Sequence, residues 1–295
     1  MAEMDQGAPG SNPQAPFDGK NAIIFGGGQN IGRAIAFEFA RRGAAIAVAD
    51  INADGAKETA QAIVDRGGKA VGVRVDVMDS ASLAAASAEA EAALGEMDIV
   101  MNNAGLLHNG NPEDFPLAEW QRMFDCNLFG IVRAMEVFLP RMIARGHGHI
   151  VNTASFAGLY PFAANRLPYA ASKAAILNLS ENLAIYLQPK GVKVSCLVPG
   201  PVMTTSIGSM KSFSGEMPMR GPGSHLWLKS QDEAAGALAD GMNEGRILVL
   251  THPEGFDSYK EMAAAPDDFI RARAAAFDVG DLGKPQIDKA KFGLA

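Results

Sequence analysis

Asn21-Ala-Ile-Ile-Phe25, followed by Gly26-Gly-Gly-Gln-Asn-Ile-Gly32 and then by Ile35, Phe37, Phe39 and Ala40, is the stretch that decides the fold. A short apolar run, a glycine cluster and apolar residues at helical spacing read as strand, tight turn and helix. A second apolar run, Ala45-Ile-Ala-Val-Ala49, ends at Asp50. The unit is therefore βαβ, with a carboxylate about 20 residues beyond the glycines. That order has a physical purpose. Glycines let backbone approach a pyrophosphate, and a helix N-terminus offers unpaired N–H groups and partial positive charge. Gly26, Gly28, Gln29, Asn30, Ile31 and Gly32 are the candidate phosphate cradle. A carboxylate at Asp50 accepts hydrogen bonds from ribose hydroxyls and repels a 2′-phosphate. No basic residue lies at the turn or just after Asp50, so NAD is favoured over NADP.

Working outward, the alternation continues. A helix over about 53–65 leads to a strand over 70–75, ending at Asp76-Val77. An alanine-rich helix over about 80–94 leads to a strand over 98–101, and Asn102-Asn-Ala-Gly105 follows directly. Ligands of open parallel sheets bind beyond the strand C-termini, which points Asp76 and Asn103 at an adenine and its ribose. A long apolar helix over about 117–144, broken near Asn127, precedes the strand His149-Ile-Val-Asn-Thr153, which ends at Ser155. A helix over about 168–188 follows, its apolar residues Ile176, Leu179, Leu183 and Tyr186 recurring three or four apart, with Gly191 just past its end. The strand Val192–Val198 then runs into Pro199-Gly-Pro-Val-Met-Thr204.

Tyr169-Ala-Ala-Ser-Lys173 opens the helix over 168–188. Residues four apart share a face, so the phenol and the ammonium reach one small volume. A free tyrosine has a pKa of about 10 and is a poor base at neutral pH. A fixed cation favours the phenolate, so the pair suits proton transfer to or from an alcohol oxygen.

Composition narrows the function classes. The 295 residues, 48% hydrophobic and 20% charged, suit a soluble enzyme. A net charge of −7 without a long basic run argues against nucleic acid or an anionic membrane surface as partner. No apolar run is long enough to span a bilayer. Residues 1–16, rich in Gly, Pro, Gln and Ala, read as a flexible leader without a secretory signal, and a cytoplasmic protein is expected. Cys126 and Cys196 sit in apolar segments and read as core residues. His147-Gly-His149 reads as a polar loop, and no metal site is expected.

Together these motifs resemble the short-chain dehydrogenase/reductase family over roughly Lys20 to Thr205. The resemblance implies a Rossmann-type α/β fold, a doubly wound parallel sheet flanked by helices, in a single catalytic domain over 17–250. It implies a lid over about 206–228, and the C-terminal extension and tail occupy 251–295. It implies the tetrad Asn127, Ser155, Tyr169 and Lys173. Tyr169 is then the acid–base group and Ser155 orients the substrate oxygen. Lys173 lowers the Tyr169 pKa and holds the nicotinamide ribose, and Asn127 positions a water that relays the proton. Asp50, Asp76, Val77, Asn103, Ala104 and Gly105 join the glycine turn on the adenosine side. Pro199, Gly200, Val202 and Thr204 join Tyr169 and Lys173 at the nicotinamide.

The chain departs from the family pattern at several places. Phe25 replaces the threonine that opens the glycine motif, and Asn30 replaces its middle glycine. Val198 stands where asparagine is frequent, and Ser155 lies one residue further from Tyr169 than usual. The common last strand with an Asp-Gly-Gly turn is missing. A helix over 231–242, a strand over 246–250 and a helix over about 259–277 stand in its place, a tail loosely similar to that of members acting on bulky aryl alcohols.

The expected activity is NAD(H)-dependent interconversion of a secondary alcohol and a ketone. Met210, Phe213, Met217 and Met219 in the lid, with Leu106, Leu107, Phe156, Tyr160 and Phe162, suggest a hydrophobic or aromatic substrate. The alternatives are a cofactor-binding sensor or scaffold, and an epimerase or dehydratase on the same fold. Apolar stripes on the long helices suggest a homo-oligomer, a dimer or tetramer.

Overall fold

Seven strands form one sheet in the computed structural model, which describes residues 16–205 and 210–294. They are β1 (Asn21–Phe25), β2 (Ala45–Asp50), β3 (Ala70–Arg74), β4 (Ile99–Asn102), β5 (Gly148–Thr153), β6 (Val192–Val198) and β7 (Leu248–Leu250). Their order is β3-β2-β1-β4-β5-β6-β7, and every neighbouring pair is parallel. The order reverses between β1 and β4, leaving a crevice beyond their C-terminal ends.

Parallel strands need crossovers, and helices supply them on both faces. Strand side chains alternate between faces, and β1 shows the sorting directly. Ala22 and Ile24 pack with α1 (Asn30–Arg41), α2 (Ala53–Val64) and α8 (Gln231–Asn243) through Ile35, Phe39, Ile63 and Leu238. Ile23 and Phe25 pack with α3 (Ser80–Leu94), α5 (Gly130–Arg145) and α7 (Leu167–Leu187) through Leu83, Phe138 and Leu187. Each of these isoleucine, leucine and phenylalanine side chains, fully removed from water, contributes roughly 1.5–3 kcal/mol. Caps set the helix starts. Asp79 accepts from the Ala81 N–H (2.9 Å) before α3, and Ser230 and Glu233 cap each other's backbone before α8.

The expected break at Asn127 is present. Between α4 (Leu117–Phe124) and α5 the chain takes one π-helical turn, Asp125–Phe129. The helix expected over 259–277 is instead two, α9 (Gly255–Ala264) and α10 (Pro266–Asp278). Proline disfavours helical geometry at the residue before it, and Ala265 sits at φ −147°, ψ 71°. The strand expected over 246–250 keeps only Leu248–Leu250. The sequence reading missed the short α6 (Phe156–Leu159), capped by Ser155.

The tail is docked on the segment 221–228, part of the stretch expected to form a lid. Gly221 N–H donates to Leu282 O (2.5 Å), Gly223 N–H to Gly283 O (3.0 Å), and Leu228 N–H to Gln286 O (2.8 Å). A third apolar cluster joins α6, α7, the lid and α10 through Phe156, Tyr160, Ile176, Leu226 and Phe269. Of the expected leader only Pro16 is described, and lid residues 206–209 also lie outside the described residues. No helix among the described residues is long and apolar enough to cross a membrane.

Candidate active site

The glycine turn between β1 and α1 is built on contacts only hydrogen atoms fit. Gly26 has φ +76°, and a Cβ there would lie 2.7 Å from the Ala104 nitrogen. A Cβ on Gly32 would lie 1.9 Å from the Gly26 carbonyl oxygen. The turn thus presses against Asn103–Gly105 at the end of β4. Asn30 takes φ +50°, a left-handed conformation that asparagine tolerates. Its Oδ1 accepts from the Thr205 N–H and hydroxyl, both at 2.9 Å, and from Gln231 Nε2 at 3.4 Å. The departure at Asn30 therefore ties the cofactor turn to the start of the lid.

Asp50 is 5% exposed at the end of β2. Its two oxygens accept the Gly28 and Asn52 N–H groups, each at 2.9 Å. A carboxylate has about four acceptor sites, so it retains capacity for ribose hydroxyls. The close-approach glycines, the following helix N-terminus and this carboxylate fit a dinucleotide.

Several predicted cofactor residues are positioned by interactions the sequence did not reveal. Asn103 Nδ2 donates to Gly26 O (3.0 Å) and its Oδ1 accepts from the Thr153 hydroxyl (3.2 Å). Its side chain is thus a brace between turn and sheet. Asp76 folds back to accept from Met78 N–H (2.9 Å), and Val77 packs against Gly130 of α5. Gly200 N–H donates to Thr251 Oγ1 (2.9 Å), which in turn meets His252 Nδ1 (2.8 Å). His252 Nε2 then meets Trp227 O (2.7 Å). The carbonyl can only accept, so His252 donates its Nε2–H to it and accepts a hydrogen bond from the Thr251 hydroxyl on Nδ1. Val202 is buried and bridges Lys229. Among the described residues Thr204 pairs with no other side chain, whereas its neighbour Thr205 holds Asn30.

The four proposed catalytic residues converge beyond β4 and β5. Asn127 is 1% exposed in the π-helical turn. Its amide accepts from Leu106 N–H (2.7 Å) and donates to Leu106 O (3.1 Å) and to Ser172 Oγ (2.9 Å). The Ser172 hydroxyl donates to the Tyr169 carbonyl (2.8 Å). Ser172, inside the quoted motif, is thus a link the sequence reading passed over. Ser155 stands close enough to Tyr169 to favour its phenolate, and its hydroxyl oxygen accepts from Ala157 N–H (3.1 Å) at the start of α6.

Lys173 is 3% exposed, donates to the Thr153 carbonyl (2.7 Å) and stands 5.6 Å from the centre of the Tyr169 ring. Burial pushes its pKa down to about 8. The lowering of the tyrosine pKa expected from Lys173 meets an opposing effect. Burial pushes the Tyr169 phenol above its usual range, and the Ser155 hydroxyl and the Arg166 charge act in opposition. Arg166, three residues ahead of the tyrosine, escaped the sequence reading.

The hydrophobic wall divides. Phe156 and Tyr160 are core residues under the lid, with the Tyr160 hydroxyl donating to Pro222 O (3.2 Å). Phe213 of the lid packs on Phe115, ring centres 5.2 Å apart, and on His108 at 6.2 Å. Cys126 and Cys196 are buried and unbridged, and burial raises both thiols to about 11.

The family model for short chain dehydrogenases matches residues 20–213. The chain is 37% identical over 196 residues to the 7alpha-hydroxysteroid dehydrogenase of Escherichia coli, covering 66% of this chain and 75% of that protein. It is 32% identical over 236 residues to the 2,5-dichloro-2,5-cyclohexadiene-1,4-diol dehydrogenase of Sphingobium indicum, covering 78% and 92%. A crystal structure of a Burkholderia phymatum short chain dehydrogenase/reductase in complex with NAD superposes with a TM-score of 0.73 at 29% identity, covering 83% of this chain and 92% of that one. With the glycine turn, the parallel sheet and the Tyr169–Lys173 helix in one site, this chain belongs to the short chain dehydrogenase family.

Proposed function

We propose that the protein is an NAD(H)-dependent oxidoreductase that interconverts a secondary alcohol and a ketone on a hydrophobic, ring-bearing substrate. The observation that carries this reading is the convergence of Ser155, Tyr169 and Lys173 beside the glycine turn, with Lys173 held on the Thr153 carbonyl 5.6 Å from the centre of the Tyr169 ring. The relatives support it: two are named for hydroxyl groups carried on hydrocarbon rings, and one was crystallised with NAD. NAD, when bound, supplies the hydride acceptor or donor.

The chain's own groups do the rest. The Tyr169 hydroxyl gives a proton to the ketone oxygen in reduction and takes one from the alcohol in oxidation. Ser155 orients that oxygen by hydrogen bonding. Lys173 holds the ribose next to the reacting carbon. Asn127 is a positioning residue, keeping Leu106 and Ser172 in place so that the first turn of α7 presents Tyr169. Asp50 selects NAD by accepting from the ribose hydroxyls. A cytoplasmic location and a homo-oligomeric state belong to the same reading. The latter is supported by apolar side chains exposed on α4, α7 and the π-helical turn between α4 and α5, namely Leu117, Phe129, Ile185 and Tyr186.

The test is Tyr169→Phe. Turnover of ring-bearing secondary alcohols, followed by NADH absorbance, should fall by about 10²–10⁴-fold while NADH affinity, followed by fluorescence, holds. A variant that keeps a tenth of the activity sinks the assignment of Tyr169. Preferential binding of NADPH would sink that of Asp50.

A further inference from the structure

Among the described residues, six buried side-chain atoms have no hydrogen-bond partner. Five of them lie on His108, Asn109, Glu119, Asn165 and Arg166, around the lid and just ahead of Tyr169. Two of the five face each other: His108 Nε2 and Glu119 Oε1 are 3.3 Å apart. The other three, Asn109 Oδ1, Asn165 Oδ1 and Arg166 Nε, have no such counterpart.

Arg166 is the costly member. Its side chain is charged at any physiological pH, and it is only 7% exposed. A buried charge without a counterion is strongly unfavourable unless something completes it. Among the described residues, the ion pairs do not include Arg166. Its Nη2 donates to the carbonyl of Arg220 in the lid, and its guanidinium stands 5.7 Å from the centre of the Phe162 ring. It is the N-cap of α7, three residues ahead of Tyr169, and it bonds the segment that the resemblance assigns to a cover over the substrate. The unpaired Nε–H is a charge-assisted donor held in place before any ligand arrives.

We propose that Arg166 is a substrate-specificity residue that binds an anionic group, a carboxylate, on an otherwise hydrophobic ring-bearing alcohol or ketone. This rests on the reading of Tyr169 as the reacting group. The unpaired Asn109 and Asn165 oxygens mark positions for donors on the same molecule, such as hydroxyl groups. A neutral ketone leaves the guanidinium uncompensated, so the site selects against it. The same anion, once bound, offsets the positive charge near the Tyr169 phenol.

The test compares NADH-dependent reduction of acetophenone with that of 2-, 3- and 4-acetylbenzoate, by wild type, Arg166→Gln and Arg166→Lys. Calorimetry on the NADH-saturated protein compares benzoate with its neutral isostere benzamide. Wild type should favour one acetylbenzoate isomer over acetophenone in kcat/KM by about tenfold to a hundredfold, and benzoate over benzamide in the same sense. Arg166→Gln, which retains a donor for the Arg220 carbonyl, should bring the ratio to about one, and Arg166→Lys should restore part of it. Equal ratios in wild type overturn the proposal without relying on any variant. A ratio unchanged in Arg166→Gln, with both substrates slowed alike, overturns it too and leaves the arginine as a strut for the lid. If no ketone turns over, Arg166-dependent preference for benzoate upholds the anion site and sinks the oxidoreductase reading instead. Equal binding of benzoate and benzamide sinks the anion site.

Discussion

Lys173→Met probes the electrostatics of the site with no substrate present. The ammonium is 3% exposed and bonded to the Thr153 carbonyl at 2.7 Å, and burial holds its pKa at about 8 against 10.5 for a free lysine. The sign follows from proton counting. Below pH 8 the group is charged in both folded and unfolded chains, and the depressed folded pKa is a standing destabilisation. Its size is about 3 kcal/mol, from about 1.4 kcal/mol per pKa unit. Between pH 8 and 10.5 the unfolded chain keeps the proton that the folded chain has shed, so this penalty shrinks as pH rises. Above 10.5 it is gone. Met fills a similar volume and carries no charge, so the stability of wild type minus variant should rise with pH. The lost bond to Thr153 adds an offset of about 1.5–3 kcal/mol at most while the group is charged. Cys126, Cys196 and Tyr169 have raised folded pKa values and so act with the opposite sign at alkaline pH. They are present in both proteins and largely cancel in the difference. The assay is urea unfolding of nucleotide-free protein at pH 7.5, 8.5 and 9.5. The difference should grow by about 2 kcal/mol across that range. A difference flat in pH would refute the claim that burial has shifted Lys173.

Two further substitutions test how the site is held. Gly32→Ala pits helix propensity, which favours alanine by about 1 kcal/mol, against a Cβ 1.9 Å from the Gly26 oxygen and 2.6 Å from Asn103 Nδ2. The clash should win, costing about 1–3 kcal/mol in urea unfolding and weakening NADH binding; a stabilised variant with intact binding would show that the turn is not packed this way. Asn127→Ala strips Leu106 of both backbone partners and Ser172 of one. It should destabilise by about 1–3 kcal/mol with or without NADH, and an unchanged denaturation midpoint would remove Asn127 as the link between the π-helical turn and α7.

The parallel sheet, the crossover helices and the residues at the strand C-termini are all legible along the chain. Local chemistry carries these. Apolar runs bounded by glycines mark strands, apolar spacing of three or four marks helices, and a carboxylate placed after β2 marks the ribose side of the crevice. Even the break at Asn127 was legible. Ala265-Pro266 was legible too but passed over, which is why two helices were read as one.

What each side chain does with its polar atoms is settled by which segments meet in space. Asn103 sits where a cofactor residue was expected, yet its amide braces Gly26 and Thr153 across 77 and 50 residues of chain. Asn30 reaches across 175 residues to Thr205. The Thr251–His252–Trp227 network behind Gly200 is formed from segments with no common motif. The tail that was read as an extension is paired with the segment 221–228. The sign of the Tyr169 shift also belongs to this level. The i, i+4 spacing places Lys173 on the right face, but burial and the partners of each group set the balance, and the cation that opposes the rise is Arg166. Hydrogen bonds and desolvation depend on which atoms meet in space, and periodicity along the chain carries no record of those meetings.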